Sequence, residues 1–250
     1  MNIKRGVLFL VSIVIASVAQ TTSAEKFCDM AREAGEESKN AYFIFIDPGA
    51  GSSLYVREAL ALGMLNLFRS LVDFDHVVVK RADSSFSSGS TVFDRCMPAC
   101  PDPSWLDKFG IGKCDTTQVM RGRNKFKKGL AKSALSLLSE KQSVRSSDLV
   151  STLNTAAKVS QTNSEILLFS DLQHAGPNLT PITSDDYDEL FFDVVNGGGY
   201  PDLSGRNLSV FGYGIQPDVK KEEIKNRRLF WDQIFTLMKF SEIRIGPSYQ

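Results

Sequence analysis

Two aspartates each close a short apolar run. Asp47 ends residues 42–47 (YFIFID), and Asp171 follows residues 165–170 (EILLFS). Runs of this length and composition read as buried strands. In a parallel α/β sheet the carboxyl ends of the strands form the ligand-binding edge. If these two strands are neighbours, their terminal carboxylates face one another across a crevice. Two carboxylates at close range repel unless a cation or a proton lies between them. Hard oxygen donors of this kind suit Mg2+ or Ca2+, and manganese by the same chemistry. The alternative is local: each Asp caps the turn or helix that follows it, as Asx residues commonly do.

Other side chains offer less. Cys28, Cys96, Cys100 and Cys114 make an even count, which in an oxidising compartment predicts two disulfides. Three pairings are open, and the spacing does not choose between them. Zinc would need closely spaced ligand pairs on both sides, and Cys28 has no near partner. Cys96 and Cys100 are separated by three residues, one more than in a thioredoxin-like motif, so structural disulfides are expected. No Gly-x-Ser-x-Gly elbow follows a strand to complete a triad with His174, and His76 opens a strand, where its role is structural. Gly49 and Gly51 lie in a phosphate-cradling kind of turn, but Asp47 would repel an anion and no Lys-Ser or Lys-Thr pair follows. No catalytic residue is assigned. The chain is read as a binding module and not an enzyme; the alternative is a metal-dependent hydrolase using Asp47 and Asp171.

The segments that must position these residues alternate between strand and helix. Pro48, Gly49 and Gly51 break the chain after the first strand. Ser52 or Ser53 can then cap a helix whose apolar face is Leu60, Met64, Leu67 and Leu71, recurring at three- and four-residue spacing. Residues 76–80 (HVVVK) read as the next strand, and strand, turn, helix, strand predicts a parallel sheet. Residues 83–123 are rich in Ser, Gly and Pro and hold three of the four cysteines; they read as a disulfide-stapled excursion from the sheet. Helices are expected over 126–138, 146–159, 185–195 and 220–240, and strands over 207–215 and 243–245. Phe230 and Trp231 are expected in the core.

Four segments, in order, resemble a von Willebrand factor A domain. Residues 42–53 (YFIFIDPGAGSS) resemble its first strand and metal-binding turn. Ser147-Asp148-Leu149 resembles its middle motif, residues 165–172 (EILLFSDL) the strand that ends in its last metal-site aspartate, and residues 207–215 the strand after that. The resemblance implies a three-layer, Rossmann-like α/β domain with a mostly parallel central sheet and helices on both faces. It also implies a metal-ion-dependent adhesion site, where an acidic side chain from a partner completes the ion's coordination. That site uses an Asp-x-Ser-x-Ser turn, a Thr and an Asp. The matching positions here are Asp47, Gly49, Gly51, Ser147 and Asp171. Both turn serines are glycine, Ser147 stands for the Thr, and Leu172 follows Asp171 where the family has glycine. Ser52 and Ser53 lie one and two residues further on and would serve as ligands after a backbone adjustment. Each lost neutral oxygen weakens the hold on a cation that takes about six ligands, so the site of Asp47, Ser52, Ser53, Ser147 and Asp171 is degenerate.

Lys4 and Arg5, the apolar run over 6–19 and the small residues Thr22-Ser23-Ala24 read as a cleavable signal peptide over residues 1–24. An uncleaved anchor is the alternative, but that run falls short of the ~20 residues a span needs, and no later segment is apolar enough. The expected location is periplasmic, with secretion to the outside as the alternative. Residues 25–250, about 225 in number, suit a single α/β domain. Losing Lys4 and Arg5 moves the formal charge from +0 to 27 minus 29, or −2. A near-neutral chain has no strong electrostatic reason to seek nucleic acid or anionic lipid. The basic run of Arg121, Arg123, Lys125, Lys127 and Lys128 reads as a solvated helix start, with a partner patch as the alternative. The expectation is an exported protein–protein interaction module of an envelope or secretion/conjugation assembly, with another protein as partner and no nucleic acid. A structural domain with a dead site is the remaining alternative.

Overall fold

Strand β1 (Ala41–Ile46) is buried along its whole length. Ala41, Phe43 and Phe45 point into one apolar cluster, and Tyr42, Ile44 and Ile46 into another. A strand apolar on both faces has to lie between two layers, and the rest of the fold supplies them. The computed structural model describes residues 40–48, 54–82, 91–100, 115–139, 148–173, 187–196, 199–214 and 219–246. Among them the other strands are β2 (His76–Arg81), β3 (Thr91–Cys96), β4 (Glu165–Phe169), β5 (Asn207–Phe211) and β6 (Glu242–Gly246). The helices are α1 (Leu54–Ser70), α2 (Thr116–Ser139), α3 (Leu149–Val159), α4 (Tyr187–Asn196) and α5 (Lys221–Leu237).

One sheet runs β3-β2-β1-β4-β5-β6. Every pair is parallel except β2 with β3. Leu60, Met64 and Leu67 of α1 and Phe126, Leu130 and Leu137 of α2 pack on one face. Leu149 and Leu153 of α3, Tyr187 and Val194 of α4, and Trp231, Ile234 and Phe235 of α5 pack on the other. The three-layer α/β architecture with a mostly parallel sheet is therefore present. The apolar face read for α1 is the one that is buried, and Phe230 and Trp231 are core residues.

Within residues 83–123 the described segments are 91–100 and 115–123, and they hold a strand of the sheet and the start of a helix; 83–90 and 101–114 lie outside the described residues. Residues Thr91–Cys96 form β3, an antiparallel strand at the sheet edge. Its pattern is weak in sequence because only Phe93 and Cys96 are buried. His76 ties this edge down: its Nε2 lies 2.6 Å from Asp94 Oδ1, the structural role expected of it. Helix α2 starts at Thr116, well before the predicted residue 126. Its first buried residue is Phe126, so the earlier turns overhang the core and carry no apolar periodicity. Strand β5 ends at Phe211 because Gly212 and Gly214 take positive φ values of 97° and 79°. Cys96 and Cys100 carry no free thiol; Cys28 and Cys114 lie outside the described residues.

Gly63 decides how closely α1 approaches the sheet. A Cβ there would lie 2.9 Å from Cε1 of Phe169, the last residue of β4. Phe169 is itself fully buried, with its ring centroid 4.9 Å from that of Phe211. Gly63→Ala gains about 1 kcal/mol of helix propensity but overpacks this contact at a cost of about 1–3 kcal/mol. The expected result in urea denaturation is a net loss of stability, against the usual sign for Gly→Ala in a helix.

Candidate functional site

Strand order reverses between β1 and β4: α1 carries the chain from β1 to β2 on one side, whereas β4 pairs with β1 on the other. In doubly wound sheets this is the point where the carboxyl ends of the strands open a crevice. The register Ile46↔Phe169 ends the pairing, and the Asp47 N–H extends the ladder by donating to the Phe169 carbonyl at 2.9 Å. Asp47 and Asp171 therefore end neighbouring strands at the same edge, as the sequence reading required.

The residue level with Asp47 is Ser170, not Asp171. The Ser170 hydroxyl donates to Asp47 Oδ2 at 2.8 Å, with both side chains buried. Ser170 Oγ also accepts the Leu172 N–H at 3.0 Å, so one hydroxyl joins the ends of β1 and β4 and shapes the next turn. Asp171 Oδ1 accepts the Gln173 N–H at 2.9 Å, an Asx turn of the local kind weighed as the alternative. Leu172 sits at φ 61°, a left-handed conformation that costs a non-glycine residue about 1–2 kcal/mol. The resemblance places glycine there. Leucine holds the position because its side chain is fully buried among the α3–α5 core residues.

Helix α5 holds this turn from outside the sheet. Trp231 Nε1 donates to the Leu172 carbonyl at 2.9 Å, and Arg227 Nη1 donates to the Asp171 carbonyl at 3.2 Å. Arg227 also donates to Tyr187 OH at 3.2 Å and, through Nη2, to Glu223 Oε1 at 2.8 Å. Burial works against its charge, but the Tyr187 hydroxyl and the Asp171 and Glu223 carboxylates hold its pKa above the usual arginine value. The same burial raises the pKa of Tyr187, which stacks on Phe230 at 5.0 Å. A fully buried guanidinium thus supplies positive charge beside the acidic edge.

Ser170 and Arg227 are the two site residues that the sequence reading missed. Arg227 precedes Phe230, Trp231, Ile234 and Phe235 by three, four, seven and eight residues. That helical spacing places it on the apolar face and marks it as a buried cation. Of the predicted set, Asp47 and Asp171 are brought to one edge, while Ser52, Ser53 and Ser147 lie outside the described residues, as do Gly49, Gly51 and His174. Asp148, from the middle motif, is the N-cap of α3: it accepts the Ser151 N–H at 2.9 Å and the Ser151 hydroxyl at 2.7 Å.

Of the predicted ligands for a hard divalent cation, only Asp47 and Asp171 are among the described residues. One oxygen of each acid is engaged by Ser170 or Gln173, and Arg227 supplies positive charge close to Asp171. Among the described residues, no three His, Cys, Asp or Glu side chains form a group that could hold a metal ion. Such an ion takes six or more oxygens.

No protein family's sequence profile matches the chain, and no curated protein sequence is similar to it. Among solved structures, the chain is similar to a von Willebrand factor type A protein from Catenulispora acidiphila. The two share 12% identity with a TM-score of 0.40, over 85% of this chain and 39% of the other. A likeness that distant adds nothing to the strand order, which stands on its own hydrogen bonds.

Ser170→Ala removes a buried donor from the Asp47 carboxylate and is expected to cost about 1–3 kcal/mol in denaturant unfolding. Arg227→Met keeps much of the side-chain volume but takes donors from the Asp171 carbonyl, Tyr187 and Glu223. Its expected cost is at least about 2 kcal/mol, with a loss of near-ultraviolet signal from Tyr187 and Trp231.

Proposed function

We propose that this chain is an exported protein-interaction module that docks its partner on the edge formed by the carboxyl ends of β1 and β4. The observation that carries the reading is the Asp47–Ser170–Asp171 constellation at the point where strand order reverses, held by α5 through Arg227 and Trp231. An edge that carries two carboxylates against one buried guanidinium suits recognition of a partner of complementary charge. Enzymatic turnover is not part of the proposal. Export through residues 1–24, a periplasmic location and membership of an envelope or secretion/conjugation assembly belong to this reading. So do two disulfides among Cys28, Cys96, Cys100 and Cys114; they are consistent with the absence of free thiols at Cys96 and Cys100.

A photo-crosslinking residue in place of half-buried Gln173, beside the edge, tests the docking surface in the native envelope. The control position is exposed Val159, at the end of α3 that leads into the opposite edge of the sheet. One discrete protein adduct is expected from position 173 and none from 159. Equal labelling at both positions, or none at 173, would remove the docking edge.

The second reading places Mg2+ or Ca2+ at the same edge and rests on its two carboxylates. A ligand at a hundredfold excess over its Kd stabilises the native state by about 2.7 kcal/mol. The docking proposal predicts that Mg2+, Ca2+ and manganese leave the melting temperature unchanged. A rise that disappears in Asp171→Ala would establish the cation instead, and phosphoester or peptide turnover lost in Asp47→Asn would establish a hydrolase.

A further inference from the structure

We propose that the outer surface of the α1/α2 layer is a docking face for an anionic lipid bilayer. Helix α2 carries six Lys or Arg and no Asp or Glu. Two of the six are engaged. Arg123 bonds Asp73 and, through Nε, the Pro98 carbonyl at 2.8 Å, and the Lys127 ammonium lies 6.0 Å from the Phe68 ring centroid. The other four, Arg121, Lys125, Lys128 and Lys132, are exposed and have no partner among the described residues. Their spacing of four, three and four residues puts them on one stripe of the helix. At 1.5 Å per residue the stripe is about 16 Å long. It lies opposite the buried face of Phe126, Leu130 and Ala134, and exposed Leu135 continues it.

Helix α1 lies antiparallel beside α2. Arg57 Nη2 reaches the Leu138 carbonyl at one end, and the Phe68–Lys127 and Asp73–Arg123 contacts follow toward the other. On its outer side α1 leaves Leu62 and Leu65 half-exposed, at 50% and 51%. The near-zero net charge of the chain therefore conceals a strong segregation. Helices α1 and α2 together carry eight basic side chains and one acid, Glu58, whereas α3, α4 and α5 carry five basic and six acidic ones. The expectation that a near-neutral chain has no electrostatic reason to meet anionic lipid does not hold for this face.

Lipid headgroups present negative charge in a plane, and α2 presents four exposed cations along one stripe beside the exposed leucines of α1. Cations at such a surface are attracted individually, and exposed leucines gain by entering the headgroup–acyl boundary. An acidic protein would also satisfy the cations; cations and exposed leucines spread over one helical layer are what favour a bilayer.

The test is sedimentation of the chain with vesicles of phosphatidylcholine alone, or of phosphatidylcholine with phosphatidylglycerol, at low and high salt. Residues 1–24 are omitted, because their apolar run would itself enter a bilayer; every described element lies between Ala41 and Gly246 and is retained. Binding is expected only with phosphatidylglycerol, weakened by salt. It should fall on the order of 100-fold or more in the combined Lys125→Glu, Lys128→Glu, Lys132→Glu variant, at roughly fivefold per cation. The three lysines have no partner to lose, so the melting temperature should not change. Leu62→Gln with Leu65→Gln, a pair that leaves the cations intact, should weaken the salt-resistant part of the binding. Equal retention on both kinds of vesicle, or full retention of the lysine variant, would overturn the proposal. So would salt-sensitive binding to polyglutamate without vesicle binding, which would assign the stripe to an acidic protein.

Discussion

The parallel pairing of β1 with β4 is the constraint on which the rest of the molecule depends. Five residue pairs, from Tyr42↔Glu165 to Ile46↔Phe169, set the register, and a backbone bond from Asp47 carries it one step past the strand ends. A shift of one residue would exchange the faces of β1 and turn Phe43 and Phe45 toward the helices that now meet Ile44 and Ile46. Because both faces are buried, neither arrangement of side chains could be corrected by solvent exposure. The same register sets Ser170 level with Asp47 and so determines which group the buried carboxylate meets.

Burial of polar groups is concentrated on this line. Asp47, Ser170, Asp171 and Arg227 are all among the buried polar residues, and an unsatisfied member of such a set would cost about 1–3 kcal/mol or more. The structure answers with short-range partners: a hydroxyl for Asp47, a backbone N–H for Asp171, and a carbonyl, a phenol and a carboxylate for Arg227. Helix α5 thereby does two things through adjacent turns. Its aromatic residues fill the core, and its arginine and tryptophan hold the carbonyls of the Asp171–Leu172 turn. That second hold lets Leu172 keep a left-handed backbone that glycine would adopt without strain.

The two helical layers are equivalent as cores and unlike as surfaces. The α3–α5 layer mixes acids and bases, and its Arg228 closes on Asp232 one turn away at 2.8 Å. The α1/α2 layer has almost no acids, and Arg121, Lys125, Lys128 and Lys132 of α2 meet no counter-charge among the described residues. Net charge averages over these faces and describes neither of them.

Strand and helix positions were largely determined by the sequence, because burial on one or two faces imposes a period that composition reveals. That is why β1, β4 and the apolar face of α1 are where the pattern places them. Elements lacking that period were not legible: β3, buried at only two of its residues, and the first turns of α2, which overhang the core. For the site, the sequence determined that two acids end two buried strands. Only the tertiary structure decided that those strands are neighbours and that Asp47 meets Ser170. It also showed that a cation from α5, 56 residues further along the chain, lies beside Asp171. Hydrogen bonds of that kind depend on register and on packing between distant segments, which local spacing does not encode.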